Sequence, residues 1–215
     1  SLEARLNTGK KDIYTKGSGL VRYSTANAEK TAHADVSLGS RRVSFRGSVT
    51  YSQFDDLIMG IHGGQQGFLR PQFVQRFGNR DIIVNNPNPR KQVFSGYEQW
   101  NTVQKLRFKP SEGLDLQYTF YYGGTGVTPR YDLLIEMRNG TLRFAEWNYG
   151  PMLWRMHHFQ MLHSKKNAVY DDARLTIAYQ NYDESRIDRT RANNTRNTQA
   201  EKVNALSINL DAGKK

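Results

Sequence analysis

The sequence predicts an all-β protein whose antiparallel up-and-down strands form part of a transmembrane β-barrel. Three observations lead to this prediction: about eight runs of alternating polar and apolar residues, connections that alternate between short and long, and aromatic residues near the long connections. The clearest runs flank Pro110-Ser111-Glu112-Gly113, whose fixed first φ and final glycine predict the turn of a β-hairpin over 97–123. One face of this hairpin is apolar and aromatic, and the other carries cations. A soluble sandwich would bury the apolar face, whereas a membrane barrel would turn it to lipid.

Taken in order, residues 1–16 form a lead-in segment and residues 17–215 form the barrel segment. Strand alternation begins at Gly19. The alternation of residues 152–164 slips by one position, which predicts a β-bulge near His157 and His158. The further predicted strands contain residues 32–38, 43–51, 97–109, 114–122, 152–164, 173–180 and 206–210.

The lengths of the connections distinguish the two ends of the sheet. Short turns and long loops alternate, which is typical of outer-membrane barrels with extracellular long loops. The short turns are 39–42, 110–113 and 165–172, and the long loops are 55–96, 124–150 and 183–201. Aromatic residues near the long loops indicate a girdle at a membrane interface, although tyrosine and tryptophan are also ordinary strand residues. They are Tyr51, Phe54, Tyr97, Trp100, Tyr121, Tyr122, Trp154, Tyr179 and Tyr182.

The composition argues against several classes of function. The chain has 215 residues, a formal net charge of +11 and no cysteine. Because the cations are spread along the chain rather than clustered, nucleic acid is not expected as a partner of the barrel. The sequence contains no glycine-rich phosphate loop, nucleophile elbow or recognisable pair of catalytic carboxylates. We therefore expect neither an enzyme nor a bound cofactor.

Five stretches of the sequence are distinctive together: RYSTANAEKTAHADVSLG (22–39), SVTYSQFDDLIMG (48–60), SGYEQWNTVQKLRF (95–108), PRYDLLIEMRNGTLRFAEWNYGPMLW (129–154) and AYQNYDESRIDR (178–189). They resemble the barrel part of TonB-dependent outer-membrane receptors, especially those of Bacteroidetes-like bacteria. Such a receptor has a 22-stranded barrel, a plug domain inside it and a segment that binds TonB. The resemblance therefore implies that this chain is the N-terminal part of the barrel only.

The resemblance also implies a function and a set of partners. It places the protein in the outer membrane of a bacterial cell, where the complete receptor would bind and import a scarce nutrient. The implied partners are outer-membrane lipid, the remainder of the barrel with its plug domain, and TonB, which acts through the N-terminal part of the receptor. A surface lipoprotein on the long loops is a further partner that the resemblance allows.

The long loops hold the candidate ligand-binding residues. These loops contain both cationic and aromatic side chains, a combination that suits an anionic or ring-containing ligand. The alternative is that Arg130, Asp132 and Glu146 pair with one another and order the loop. The candidates are Arg130, Tyr131, Asp132, Arg138, Glu146, Trp147, Tyr149, Arg186 and Arg189.

Other charged side chains and histidines are weaker candidates. Cations on the polar strand face would guide an anionic substrate or contact acidic residues of the plug. Adjacent histidines of a strand point to opposite faces, so His157 and His158 do not predict a metal site, and His163 is interpreted as an ordinary strand residue. The polar-face cations are Arg22, Arg46, Lys105, Arg107 and Arg174.

Two other functions remain open from the residues alone. The first is a soluble all-β binding module whose exposed rings stack on polysaccharide or on single-stranded nucleic acid. The second is a small stand-alone barrel of eight strands in the outer membrane, since eight strands make the smallest filled barrel. Solubility without detergent distinguishes the first from a receptor, and the size of the native polypeptide distinguishes the second.

Overall fold

A computed structural model describes residues 4–7, 13–62 and 69–214, most of them in strands. The strands are β1 (Tyr14–Ser24), β2 (Glu29–Gly39), β3 (Val43–Phe54), β4 (Gln72–Phe77), β5 (Arg80–Asn85), β6 (Tyr97–Ser111), β7 (Leu114–Thr125), β8 (Thr128–Pro129), β9 (Met137–Arg138), β10 (Thr141–Leu142), β11 (Phe144–Tyr149), β12 (Met152–Ser164), β13 (Asp172–Thr190) and β14 (Asn197–Gly213). A short helix, α1 (Tyr131–Leu134), lies between β8 and β9. No helix in these described ranges is long and apolar enough to cross a membrane. Parts of the predicted lead-in segment (1–3 and 8–12) and of the predicted loop 55–96 (63–68) lie outside the described residues.

Ten strands form one antiparallel sheet with up-and-down connections. Its order is β1-β2-β3-β6-β7-β12-β13, and β14 lies on the far side of β13. Beyond the end of β12, β11 pairs with the outer part of β13, and β8 pairs with β11. The prediction of an all-β, antiparallel up-and-down fold is confirmed. The sheet is open, because β1 and β14 each pair with one neighbour and not with each other within the described part of the chain.

One face of the sheet carries exposed apolar side chains. Cross-strand partners share a face of a sheet, and the pairs Val43↔Phe108 and Leu106↔Tyr118 continue the same apolar surface from strand to strand. On β14, Leu210 is 71% exposed. We call this surface the apolar band; its large exposed members include Val21, Tyr23, Val36, Leu38, Val43, Val49, Trp100, Leu106, Phe108, Tyr118, Tyr179, Leu206, Ile208 and Leu210.

The opposite face of the sheet is polar and internally hydrogen-bonded. The Thr31 hydroxyl donates to the Ser52 hydroxyl over 2.9 Å, and Arg107 Nε donates to the Asp115 carboxylate over 2.9 Å. Residues 4–7 lie against this face at the end with the short turns. The sheet therefore has one face with exposed apolar side chains and one face on which many polar side chains hydrogen-bond to one another.

Two predicted boundaries are wrong because backbone pairing extends beyond the side-chain alternation. The predicted loop 183–201 is mostly strand: β13 continues to Thr190, and it pairs with β14 from Asp172↔Gly213 to Asp188↔Asn197. This extension is charged on both faces, so it shows no apolar period. At the other end of the sheet, β1 begins at Tyr14, inside the predicted lead-in segment.

The predicted bulge at His157 and His158 is also wrong. β12 pairs in unbroken register with both β7 and β13 across these residues. The apparent slip arises because Trp154, near the long connections, lies on the polar face, whereas Phe159 opposes Ile177 in the apolar band. The apolar side chains of β12 therefore move from the polar face of the sheet to the apolar face along the strand, without an inserted residue.

The aromatic residues near the long connections divide between the two faces. Tyr51 and Trp100 contact each other on the apolar face, with ring centroids 4.2 Å apart. Tyr121 and Trp154 contact each other on the polar face, at 5.9 Å. Since successive strand residues alternate between faces, a girdle built from all the predicted rings would require both faces to meet the same interface.

Candidate ligand site at the loop side

The long connections fold into a compact unit at one end of the sheet, which we call the loop side. Within the predicted loop 55–96, β4 and β5 form a hairpin whose turn places Gly78 at φ 55°, a conformation that glycine adopts without strain. Val74 of this hairpin packs with Leu142 and Ala145 in the buried apolar cluster of the loop side. The predicted loop 124–150 contains β8, α1, β9, β10 and β11.

A group of ionic side chains fastens the β4–β5 hairpin to the ends of β11 and β13. Arg189 Nη1 donates to Asp81 Oδ2 over 2.7 Å, and Arg189 Nε donates to Glu146 Oε1 over 2.9 Å. Arg76 Nη1 donates to the other Asp81 oxygen over 3.1 Å, and Arg196 Nε donates to the other Glu146 oxygen over 2.9 Å. We call Arg76, Asp81, Glu146, Arg189 and Arg196 the loop-side charge cluster.

The two carboxylates of the cluster are held in the ionised form. Burial of the Asp81 carboxylate raises its pKa, but hydrogen bonds from Arg189, the Ala192 N–H and Arg76 outweigh burial and lower the pKa to about 2. Burial likewise raises the pKa of Glu146, and the hydrogen bonds from Arg189 and Arg196 lower it by more. Asp81 has no exposed side-chain surface, and Arg189 has 6%. The cluster therefore holds the β4–β5 hairpin in a fixed position against the ends of β11 and β13.

A cavity of about 230 Å³ lies between the hairpin, α1 and β11. Its walls are mainly apolar, with a few polar side chains at defined positions, which is the usual character of a small-molecule site. Within the described ranges, no group of His, Cys, Asp and Glu side chains is arranged to hold a metal ion. The cavity is lined by Val74, Arg76, Phe94, Pro129, Leu134, Ala145, Glu146, Asn148 and Arg189.

Arg130 forms a second group with aromatic residues of β11. Its guanidinium lies 4.9 Å from the Trp147 ring centroid and 5.6 Å from that of Tyr149. The pKa of Arg130 is raised, mainly by its hydrogen bond to Asp132 and secondly by its hydrogen bond to the Tyr149 hydroxyl. Because alternate strand residues face opposite ways, Trp147 and Tyr149 lie on the face of β11 away from Glu146.

The structure separates the residues that the sequence grouped as one ligand site. Glu146 and Arg189 line the cavity. Arg138 is exposed on β9, and Tyr131 packs beside Arg70. Arg186 lies 3.7 Å from a Glu184 oxygen and 4.0 Å from a Glu201 oxygen.

The alternative of mutual pairing is partly correct. Arg130 pairs with Asp132, as that hypothesis requires. Glu146 instead pairs with Arg189 and Arg196. These partners lie far away in the sequence, so no local spacing indicates them.

Sequence reasoning missed most of the cavity lining. The missed residues are Val74, Arg76, Phe94, Pro129, Leu134, Ala145 and Asn148. A signal for the first two was present: QFVQRFGNRDIIVN (72–85) has two β-rich runs around a Gly-Asn turn, which is typical of a hairpin. Comparison with protein-family models, curated proteins and solved structures finds no match for this chain.

Proposed function

We propose that this chain is a segment of the β-barrel of a TonB-dependent outer-membrane receptor, and that its loop side helps to bind the nutrient that the receptor imports. The observation that carries the proposal is the arrangement of the sheet: one strand layer, an exposed apolar band on one face, and a hydrogen-bonded polar face on the other. Barrels in membranes turn apolar side chains to lipid and polar ones to the lumen.

The size of the apolar band supports a lipid partner. Leu206, Ile208 and Leu210 are each more than 60% exposed, and the band continues across the sheet to Val36. Removing a large apolar side chain from water contributes about 1.5–3 kcal/mol. Exposed apolar surface of this extent is a liability in water and a requirement in a bilayer.

The open edges of the sheet support a larger barrel. β14 is a strand of 17 residues that pairs on one side only. Unpaired backbone N–H and C=O groups are costly within a hydrocarbon layer, so further strands must pair with β1 and β14. In this proposal the partners are lipid, the remaining strands, the plug domain, TonB acting on the N-terminal part, and a surface lipoprotein at the loop side.

Fractionation of the native cells tests the proposal. The native polypeptide that contains this sequence is expected in the outer membrane, with an intact mass several times the 24.7 kDa of this chain. A mass close to 24.7 kDa in that membrane indicates a small stand-alone barrel and excludes TonB-driven import. Recovery in the soluble fraction contradicts the assignment of the apolar band to lipid and favours a soluble binding module.

A further inference from the structure

Arg70 is a buried arginine whose guanidinium is only partly hydrogen-bonded within the described part of the chain. The residue is 1% exposed, and its Nε and Nη1 atoms have no hydrogen-bond partner within the described chain. Its backbone is fixed, because the Arg70 N–H donates to the Pro89 carbonyl over 2.7 Å and Asn86 Nδ2 donates to the Arg70 carbonyl over 2.8 Å. Buried polar groups are normally satisfied, so these two donors need an explanation.

Aromatic rings provide the surroundings of this cation. The guanidinium carbon lies 5.4 Å from the Tyr131 ring centroid and 5.7 Å from that of Phe94. Burial lowers the pKa of Arg70 to about 10, against weaker opposing effects of Tyr131 and Asp56. The rings attract the cation, but they leave Nε and Nη1 without a hydrogen-bond partner among the described residues.

Phe94 connects Arg70 to the loop-side cavity. Its ring lines the cavity and also contacts the guanidinium. Its backbone lies at φ 63°, which is unusual for a bulky residue and recurs at ligand sites. Phe94 is 42% exposed, so its side chain is not fully enclosed by its neighbours. The Phe94 ring thus separates Arg70 from a cavity whose walls are mainly apolar.

We propose that Arg70 is the anion-binding residue of the loop-side cavity, and that the ligand is a small apolar or aromatic molecule with a carboxylate. The inference rests on the proposed role of the loop side as a ligand site. The apolar part of the ligand occupies the cavity between Val74, Leu134 and Ala145. The carboxylate accepts hydrogen bonds from Nε or Nη1 of Arg70, with the Phe94 ring displaced. Cavities of about 150 Å³ hold a benzene ring, so this cavity accommodates a benzoate.

Two matched probes test the charge requirement. The native protein that carries this chain, in mild detergent at neutral pH and about 150 mM salt, is titrated with 4-fluorobenzoate and with uncharged 4-fluorobenzamide, followed by ¹⁹F NMR of the probe. We expect the benzoate to bind at least about tenfold more tightly than the benzamide. Arg70→Met should abolish that preference without weakening benzamide binding. Arg80→Met, which removes an exposed arginine from the neighbouring β4–β5 hairpin, should behave as the unaltered protein.

A stability measurement separates anion binding from a purely structural role. If Arg70 serves a ligand, Arg70→Met removes a buried unpaired charge and raises the denaturant midpoint of the ligand-free protein. A lower midpoint shows that Arg70 is structural and overturns the inference. Equal affinity for both probes, an unchanged preference in Arg70→Met, or no benzoate binding at about 10 mM also overturns it. These outcomes leave the barrel proposal intact, because cell fractionation decides that proposal independently.

Discussion

Replacing Asp81 by asparagine should release the β4–β5 hairpin from the loop side. The Asp81 carboxylate accepts hydrogen bonds from Arg189, from the Ala192 N–H and from Arg76, at 2.7, 2.9 and 3.1 Å. Removing one partner of a buried ion pair costs about 3–5 kcal/mol, and a hydrogen bond to a charged group contributes about 1.5–3 kcal/mol. Because Arg189 keeps Glu146 as a partner, we expect a loss of about 2 kcal/mol, which corresponds to a roughly 30-fold larger population of open hairpin.

Limited trypsin digestion measures that population in the native protein. Cleavage after Arg76 and Arg80, followed by mass spectrometry, should be about 30-fold faster in Asp81→Asn when opening precedes cleavage. Asp172→Asn is the matched control, because Asp172 is an exposed carboxylate at the start of β13. Equal cleavage rates for the unaltered protein and Asp81→Asn would refute the idea that the charge cluster fastens the hairpin.

Three further predictions concern acidity, the aromatic group and the apolar band. The pKa of Asp81 is lowered from 3.8 to about 2, so the stability that the ionised carboxylate gives to the hairpin is fully present above about pH 4 and is lost as the pH falls through about 2. Hydrogen exchange of the hairpin amides, corrected for intrinsic rates, should therefore become faster as the pH falls over that interval. Asp81→Asn should show no such increase. Arg130→Ala should change stability by less than about 1 kcal/mol, because the Asp132 pair is exposed, and should shift the fluorescence of Trp147. If the sheet belongs to a membrane barrel, as proposed, Leu116→Arg should destabilise it in the bilayer by about 2–4 kcal/mol, whereas Gln117→Arg on the opposite face should not, as measured by denaturant titration of the native protein in lipid vesicles.

The sheet was predictable because its side chains repeat every two residues. Runs such as 43–51 and 114–122 alternate cleanly, and both lie in strands of the observed sheet. The extension of β13 past residue 183 was not predictable in this way, because backbone hydrogen bonds define it and both of its faces are charged. The charge cluster could not be predicted from the sequence, because Arg189 and Asp81 lie 108 positions apart. A pairing at that distance leaves no local sequence pattern.

The two buried arginines of the loop side differ in their partners. Arg189 pairs with two carboxylates, and its hydrogen bond to Asp81 is the largest of the effects that raise its pKa. Arg70 forms no ion pair with a described residue, and burial lowers its pKa by more than Tyr131 and Asp56 raise it. The same cavity adjoins both residues, directly at Arg189 and through Phe94 at Arg70. Asp81→Asn should therefore loosen a cavity wall and weaken 4-fluorobenzoate and 4-fluorobenzamide alike. Arg70→Met should weaken only the benzoate, so the ratio of the two affinities reports whether a variant altered the shape of the cavity or its charge.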